Sequence, residues 1–319
     1  MHKVPRFLCL LLTLLILWSI PYTSAFAAVP FVKPGQNIVV PLAYEDLLFW
    51  ERTPADPFFI APPPLKQGVP ILTVIAIHIG AKDCIVLQCG DDAILLDCGD
   101  PGPHDIAARV IRQLGIDHFT AAINTHPHDD HLSAFPYILS QFPADVLYVC
   151  FPEDTNGYSK TLHKEMAALN IPIEQLNIDQ TMQLGAASLH FRRYNASDNI
   201  NYRSLVIQAV LGDRTILLTA DASATAFREM IESYGPEAFQ GDILKAPHHG
   251  IDTLTVELIR AADMQAIFVT AWPWGDKVQD FLKQLRRIHF EGVFTGLGSV
   301  VMKTDGAIWT ISQLPREFP

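Results

Sequence analysis

The sequence predicts an α/β protein whose sheets are covered by helices, and three observations carry that expectation. Short β-rich runs separated by Gly-Ala-Lys-Asp and Gly-Asp-Asp turns begin at Ile71. From His104 onward, apolar strand-like runs alternate with helical stretches. The composition, 49% hydrophobic and 10% aromatic over 319 residues, can bury a large core and suits neither a disordered nor a fibrous chain.

Residues 1–27 read as a secretory signal peptide. Lys3 and Arg6 precede an uncharged apolar run from Phe7 to Ile20, and Pro21 then leads to the A-x-A site Ala25-Phe26-Ala27. The run is shorter than the roughly 20 residues that cross a bilayer, so cleavage and export to the periplasm or medium are expected, with no membrane span left. Residues 28–70 are proline-rich, crowded from Pro54 to Pro70, and each proline removes a backbone donor. They read as an irregular arm, with a short helix near 42–50, wrapped on a main domain of residues 71–319. The formal charge of −11 becomes −13 once Lys3 and Arg6 leave, a balance that argues against unassisted binding to nucleic acid.

Strands are expected at 71–79, 84–89 and 93–97, then a helix at 104–114 and an apolar strand at 120–123 that stops at Asn124-Thr125-His126. The alternation continues with strand 146–150, helix 160–169, strands 188–191, 205–211 and 215–219, helix 224–233 and strand 242–246. Helix 253–261, strand 266–270, helix 277–288 and terminal strands complete it. No internal repeat interrupts this order.

Cys9 leaves with the signal peptide; the remaining Cys84, Cys89, Cys98 and Cys150 show no CxxC spacing, which argues against a cysteine zinc site. Cys84 and Cys98 are symmetric about Gly90-Asp91-Asp92. A hairpin that aligns Gln88 with Ile94 and Val86 with Leu96 makes them cross-strand neighbours, as a disulfide or as two buried thiols.

Chemistry concentrates in Thr125-His126-Pro127-His128-Asp129-Asp130-His131. Three histidines and two aspartates within six positions are costly to bury without partners, and divalent metals provide them. Imidazole and carboxylate suit zinc, iron or manganese, and alternating ligands in a tight turn can serve two neighbouring ions.

This H-x-H-x-D-H pattern resembles the metal-binding signature of the metallo-β-lactamase superfamily, and further motifs follow in the family's order. Leu95-Leu96-Asp97-Cys98-Gly99 is similar to the motif whose Asp braces the metal loop. Leu217-Leu218-Thr219-Ala220-Asp221 is similar to the strand ending in the metal-bridging Asp, and Leu244-Lys245-Ala246-Pro247-His248-His249-Gly250 to the strand that delivers the last histidine. Ile77-His78-Ile79-Gly80-Ala81-Lys82-Asp83-Cys84 and Asn201-Tyr202-Arg203-Ser204-Leu205-Val206-Ile207, with Pro-His-His-Gly, narrow the likeness. They resemble the hydrolase domain of competence DNA-uptake proteins and the secreted phosphorylcholine esterases.

The resemblance implies an αββα sandwich of two mixed sheets with the active site along one edge. It also implies a binuclear cage for two divalent ions, with zinc preferred and manganese or iron admissible. His126 and His128 would hold the first ion, Asp130 and His131 the second, and Asp221 would bridge them. His249 would complete the second site, while His248 faces the substrate and Asp130 also orients the nucleophile. Two metals about 3.5 to 4 Å apart lower the pKa of a shared water enough to give a hydroxide near neutral pH.

Three departures stand out. Asp198, Asn199 and Asn201 occupy the region where many members carry another histidine, so the first ion is expected to be the more weakly held. Ile251 replaces the usual serine after Pro-His-His-Gly, and Ala271-Trp272-Pro273-Trp274-Gly275 stands where DNA-uptake relatives have a Tyr-Gly-His-Pro element.

By this analogy the expected activity is hydrolysis of a small or cell-envelope phosphodiester. The alternatives are lactone, thioester or lactam hydrolysis on the same cage, and a non-catalytic envelope protein with structural metals. Outside the motifs, His78 reads as a core histidine, and His104, His118, His163, His190 and His289 as structural or exposed. Trp272 and Trp274 read as packing or as the wall of a substrate pocket.

Overall fold

The computed structural model describes residues 38–39, 64–99, 102 and 104–314. The expected signal segment, most of the proline-rich arm and the expected helix near 42–50 lie outside them.

Nine strands form the first sheet: β1 (Ile38–Val39), β2 (Leu72–Ala76), β3 (Cys84–Cys89), β4 (Asp92–Cys98), β5 (Ala121–Asn124), β6 (Leu147–Val149), β7 (Ile173–Gln175), β15 (Val300–Thr304) and β16 (Trp309–Gln313). Their order is β1-β16-β15-β2-β3-β4-β5-β6-β7. The second sheet runs in the order β14-β13-β12-β11-β10-β9-β8. Its strands are β8 (Met182–Leu184), β9 (Ala187–Arg192), β10 (Val206–Leu211), β11 (Arg214–Leu218), β12 (Ile243–Lys245), β13 (Ala266–Val269) and β14 (Gly292–Phe294).

Both sheets are mixed. β2, β3 and β4 pair antiparallel while β4, β5, β6 and β7 run parallel; β8 through β11 pair antiparallel while β11 through β14 run parallel. Among the described residues seven helices connect them: α1 (His104–Gln113), α2 (Asp129–Leu132), α3 (Phe135–Leu139), α4 (Gly157–Ala168), α5 (Ala224–Tyr234), α6 (Val256–Ala262) and α7 (Gln279–Arg287).

The two-residue periodicity of the strands builds the layers. Along the second sheet, Ile207, Ala209, Ile216, Leu218, Ile243 and Phe268 face a core shared with the first sheet, α1, α3 and α4. Their alternates Val206, Leu217, Leu244, Ile267 and Val269 pack instead against Phe227 and Met230 of α5, Leu258 of α6 and Phe281 and Leu285 of α7. One sheet face meets a sheet and the other meets helices, which is the expected αββα sandwich.

Capping sets several boundaries that periodicity misplaces. Asn156 accepts from Ser159 N and starts α4 three residues early, and Thr255 accepts from Leu258 N and delays α6 to Val256. The short edge strands β7 and β8 carry no sustained alternation and leave no mark in the sequence pattern, and neither do α2, which begins inside the histidine-rich stretch, and α3 just after it.

The β3–β4 hairpin also corrects the expected register. The turn has two residues, not three, with Gly90 at φ 67° in its first position, so Gln88 pairs Ala93, Leu87 pairs Ile94 and Ile85 pairs Leu96. A bulge between Cys84 and Ile85 then shifts the ladder and returns Cys84 opposite Cys98. The two buried thiols are free, with their sulfurs 3.4 Å apart.

Candidate metal centre

The site lies where parallel strands of both sheets end. Asp97 is near the end of β4, the histidine loop follows β5, Asp221 follows β11, His249 follows β12 and Thr270 follows β13. Carboxyl ends of strands are where α/β folds leave a crevice free for ligands.

Asp97, at φ 51°, organises the loop after β5. Its carboxylate accepts from Asn124 Nδ2 (2.8 Å), Thr125 N (2.8 Å), Thr125 Oγ1 (2.7 Å) and His131 Nδ1 (2.8 Å). With Nδ1 committed, His131 turns Nε2 into the cage, 3.2 Å from Asp221 Oδ1 and 3.2 Å from His249 Nε2. His249 is fixed in the same way by Thr270 Oγ1, 2.9 Å from its Nδ1. Asp130 completes the group, with Oδ2 3.5 Å from His249 Nε2. One ligand atom from each of Asp130, His131, Asp221 and His249 lies within 4.8 Å of all the others.

Asp221 divides its two oxygens. Oδ1 faces His131 and His249, while Oδ2 lies 3.7 Å from His126 Nε2 and 3.6 Å from His248 Nε2. His128 sits half-buried at the rim, its ring 4.8 Å from that of His126. His248 and His249 both have left-handed backbone, φ 48° and 55°, an arrangement that brings two consecutive imidazoles to one cavity. His248 keeps a quarter of its side chain exposed and contacts Asp252 Oδ2 through Nδ1 at 3.2 Å.

Beneath the cage lies an ion pair that the sequence alone does not reveal. Fully buried Lys245 places Nζ 2.9 Å from Asp83 Oδ2, 3.1 Å from the Ala220 carbonyl and 3.3 Å from the Ala246 carbonyl. Asp83 Oδ1 is 3.4 Å from His249 Nδ1. The pair thus ties the loop before β3 to the strands that present Asp221 and His249. A lysine in an otherwise apolar strand is the one trace it leaves in the sequence.

Electrostatics follow from this packing. Burial works to raise the pKa of Asp221, but His131 and His249 hold it well below the carboxylate range. Asp83 is likewise raised by burial and pulled further down by Lys245 and His249. Burial opposes charge on His249, and Asp221 with Asp83 overcomes it, giving a pKa of about 9. His131 is driven well above its usual value against its own burial by Asp221 and Asp97. His126 goes the other way, pushed down by burial and by His131.

These residues fit divalent cations. Buried His126 Nε2 and Asp221 Oδ1 have no hydrogen-bond partner. The 3.2 Å separation of the His131 and His249 nitrogens matches the roughly 3.4 Å edge between donors of a tetrahedral zinc site.

The sequence profile of the metallo-beta-lactamase superfamily matches residues 79–266, which hold every one of these residues except Thr270. The chain belongs to the metallo-beta-lactamase superfamily. It is a metal-dependent hydrolase of that superfamily, with an acidic, histidine-rich site suited to divalent ions.

Among solved structures it is similar to YhfI from Bacillus subtilis, a metallo-beta-lactamase fold protein, at 17% identity and a TM-score of 0.49, covering 70% of this chain and 95% of that one. It is also similar to the metallo-beta-lactamase SMB-1, at 14% identity and a TM-score of 0.40, covering 56% of this chain and 78% of that one. A metallo-beta-lactamase from Cronobacter sakazakii, a HARLDQ motif mutant, matches at 15% identity and 0.38, covering 54% and 75%. A search of curated proteins gave no match.

The remaining histidines and tryptophans singled out in the sequence lie off the cage. His78 is buried, its ring edge-on to Trp272 at 4.9 Å, and Trp274 lies tilted against Trp272 at 5.1 Å while staying exposed. His118 pairs with Asp145, His163 approaches Glu153, and His190 contacts Thr181 and Ser188. Asn201, in the segment 198–201, places Nδ2 3.4 Å from His248 Nε2. No helix among the described residues is long and apolar enough to cross a membrane.

Proposed function

We propose that this chain is an exported hydrolase of phosphodiester bonds working with two divalent ions, zinc foremost. The observation that carries the reading is the split carboxylate of Asp221, whose oxygens face two separate sets of imidazole nitrogens. Asp130, His131 and His249 would hold one ion with Oδ1 of Asp221, and His126 and His128 the other with Oδ2. When bound, such ions supply the Lewis acidity that activates water and polarises the scissile bond.

The chain's own groups do the rest. Asp97 and Thr270 lock the His131 and His249 rings in place through Nδ1. Asp130 is partly exposed, and His249 and His131 hold its pKa down to about 2 although burial works the other way. It therefore accepts a hydrogen bond from the attacking water and orients it. His248 is aimed by Asp252 and stands at the open side, where its ring faces the bound substrate.

The phosphodiester preference rests on the likeness of the Ile77-to-Cys84, Asn201-to-Ile207 and Pro-His-His-Gly segments to competence DNA-uptake proteins and phosphorylcholine esterases. Export rests on the layout of the first 27 residues; an intact Met1 in mass spectra of periplasm and medium would overturn it.

The deciding assay compares bis(p-nitrophenyl) phosphate with p-nitrophenyl acetate, a lactone and a lactam on zinc- or manganese-loaded protein. Diester turnover that a chelator abolishes is the expected result. Turnover confined to the neutral esters, lactone or lactam, or no turnover with both ions bound, would overturn the reading.

A further inference from the structure

Beside His126 the surface opens into a small cleft lined by Phe151, Thr155, Ile200, Arg193 and Arg203. The arginines come from separate segments, Arg193 just after β9 and Arg203 from the turn Asn201–Arg203. They are locked together, since Arg193 Nε donates to the Arg203 carbonyl at 2.8 Å.

Two guanidinium groups held at one cleft repel each other, so a folded chain ordinarily places a carboxylate between them. Here none does. Among the described residues Arg214 pairs with Asp242 and Arg228 with Glu257, while Arg193 and Arg203 pair with no carboxylate. The buried Nε of Arg203 has no hydrogen-bond partner at all. The nearby Cys150 thiol donates to the Thr125 carbonyl, and burial pushes its pKa up to about 11, so it carries no charge near neutrality. Asp97, the acidic group behind it, is saturated by Asn124, Thr125 and His131.

We propose that the Arg193–Arg203 cleft is an anion subsite that takes a phosphate-class oxyanion of the substrate next to the His126 side of the cage. Its position rests on the hydrolase reading above, because His126 belongs both to the cleft and to the cage. Guanidinium forks match tetrahedral oxyanions with paired N–H donors, and a half-desolvated site strengthens each bond. The same two charges draw an anion toward a cage that is otherwise rich in carboxylates. This gives the chain a way to recognise phosphate without the serine and Tyr-Gly-His-Pro elements it lacks.

The test is calorimetric titration of inorganic phosphate into the metal-loaded full chain and into Arg193→Gln, Arg203→Gln and the double variant, with metal content measured on each. The expected result is phosphate affinity at least about tenfold weaker in the double variant with both ions retained, and a several-fold loss in Arg203→Lys, which keeps the charge but not the fork. Unchanged affinity in the double variant, with its metal intact, overturns the proposal. Should the glutamine variants fail to fold, Arg203→Lys decides alone, and wild-type affinity there overturns the proposal equally.

Phosphate binding is read without turnover, so an inactive protein that still binds phosphate through these arginines sinks the hydrolase reading and leaves the subsite standing. Diesters with and without a second anionic group then locate the bound oxyanion. A raised KM for both means the cleft grips the scissile phosphate, and a raised KM for the first alone means it grips a neighbouring one.

Discussion

In the two-ion reading proposed above, Asp221 is the residue on which both sites depend, because each of its oxygens faces a different group of imidazoles. Asp221→Ala is expected to strip both ions and all activity. His249→Ala should lower occupancy of the second site mainly, and His248→Ala should keep the metal while turnover falls by about 10- to 100-fold, the scale of lost acid or oxyanion assistance. Metal analysis of the purified variants decides this: full occupancy in Asp221→Ala, or metal loss in His248→Ala with none in His249→Ala, contradicts the assignment.

The same residues give a pH dependence. In the ion-free chain the folded pKa of His249, about 9, lies above the ordinary 6.5. Its proton therefore stabilises the fold fully below about 6.5, and that contribution fades as pH rises through 9. A divalent ion must displace this proton and the one on His131, so loading at pH 7.5 should release about two protons and tighten as pH increases. Calorimetry in two buffers of different ionisation enthalpy measures the count, and zero release would contradict the charged pair.

At the scale of elements, the β3–β4 hairpin and the loop after it hold the second half of the cage. Asp83 N donates to the Asp130 carbonyl, and Gly99 N to the Asp83 carbonyl, so three segments cross at one point. A Cβ on Gly99 would run into the backbone of Asp130. Gly99→Ala is therefore expected to displace Asp130, costing about 1–3 kcal/mol of stability and weakening the second metal site. Thermal unfolding and metal content of the variant check it, and a wild-type metal profile would show that the loop yields at no cost. The neighbouring Cys84 and Cys98 face each other only because a bulge compensates a two-residue turn. Counting outward from the turn reaches the right pair through the wrong register.

The whole molecule is two sheets clamped at the end opposite the metal centre. Asp242, just before β12, accepts from Arg214 (3.1 Å) and Thr215 N (2.8 Å) in its own sheet, and from Trp309 Nε1 (3.3 Å) of the first sheet. Trp309 is among the largest fully buried side chains. Asp242→Ala leaves several donors short of a partner, and a loss of about 2–3 kcal/mol is expected, with metal content unchanged because the cage lies at the other ends of these strands. Chemical denaturation measures the loss; a change below about 0.5 kcal/mol would mean the clamp is idle.

The linear pattern was enough for the α/β fold class, and the motifs' resemblance to the family pointed to residues of which the structure gathers Asp130, His131, Asp221 and His249 at one place. Period-two apolar runs dictate which strand faces are buried, and a histidine-aspartate cluster at a strand end has few uses other than holding metal. The Asp97 brace and the late His-His pair were legible only through the resemblance of their motifs to the family's. What the order of residues could not decide is everything set by distance across the chain. The Lys245–Asp83 pair joins residues 162 positions apart, and the choice of which Asp221 oxygen meets which histidine depends on how two sheets stack. The Arg193–Arg203 cleft is visible only in three dimensions, because which described residues stand beside two arginines is a property of their surroundings and not of their spacing. Local periodicity reports the pull of water on each side chain, whereas pairing of charges, register and cavity shape are fixed by contacts that form only once the layers close.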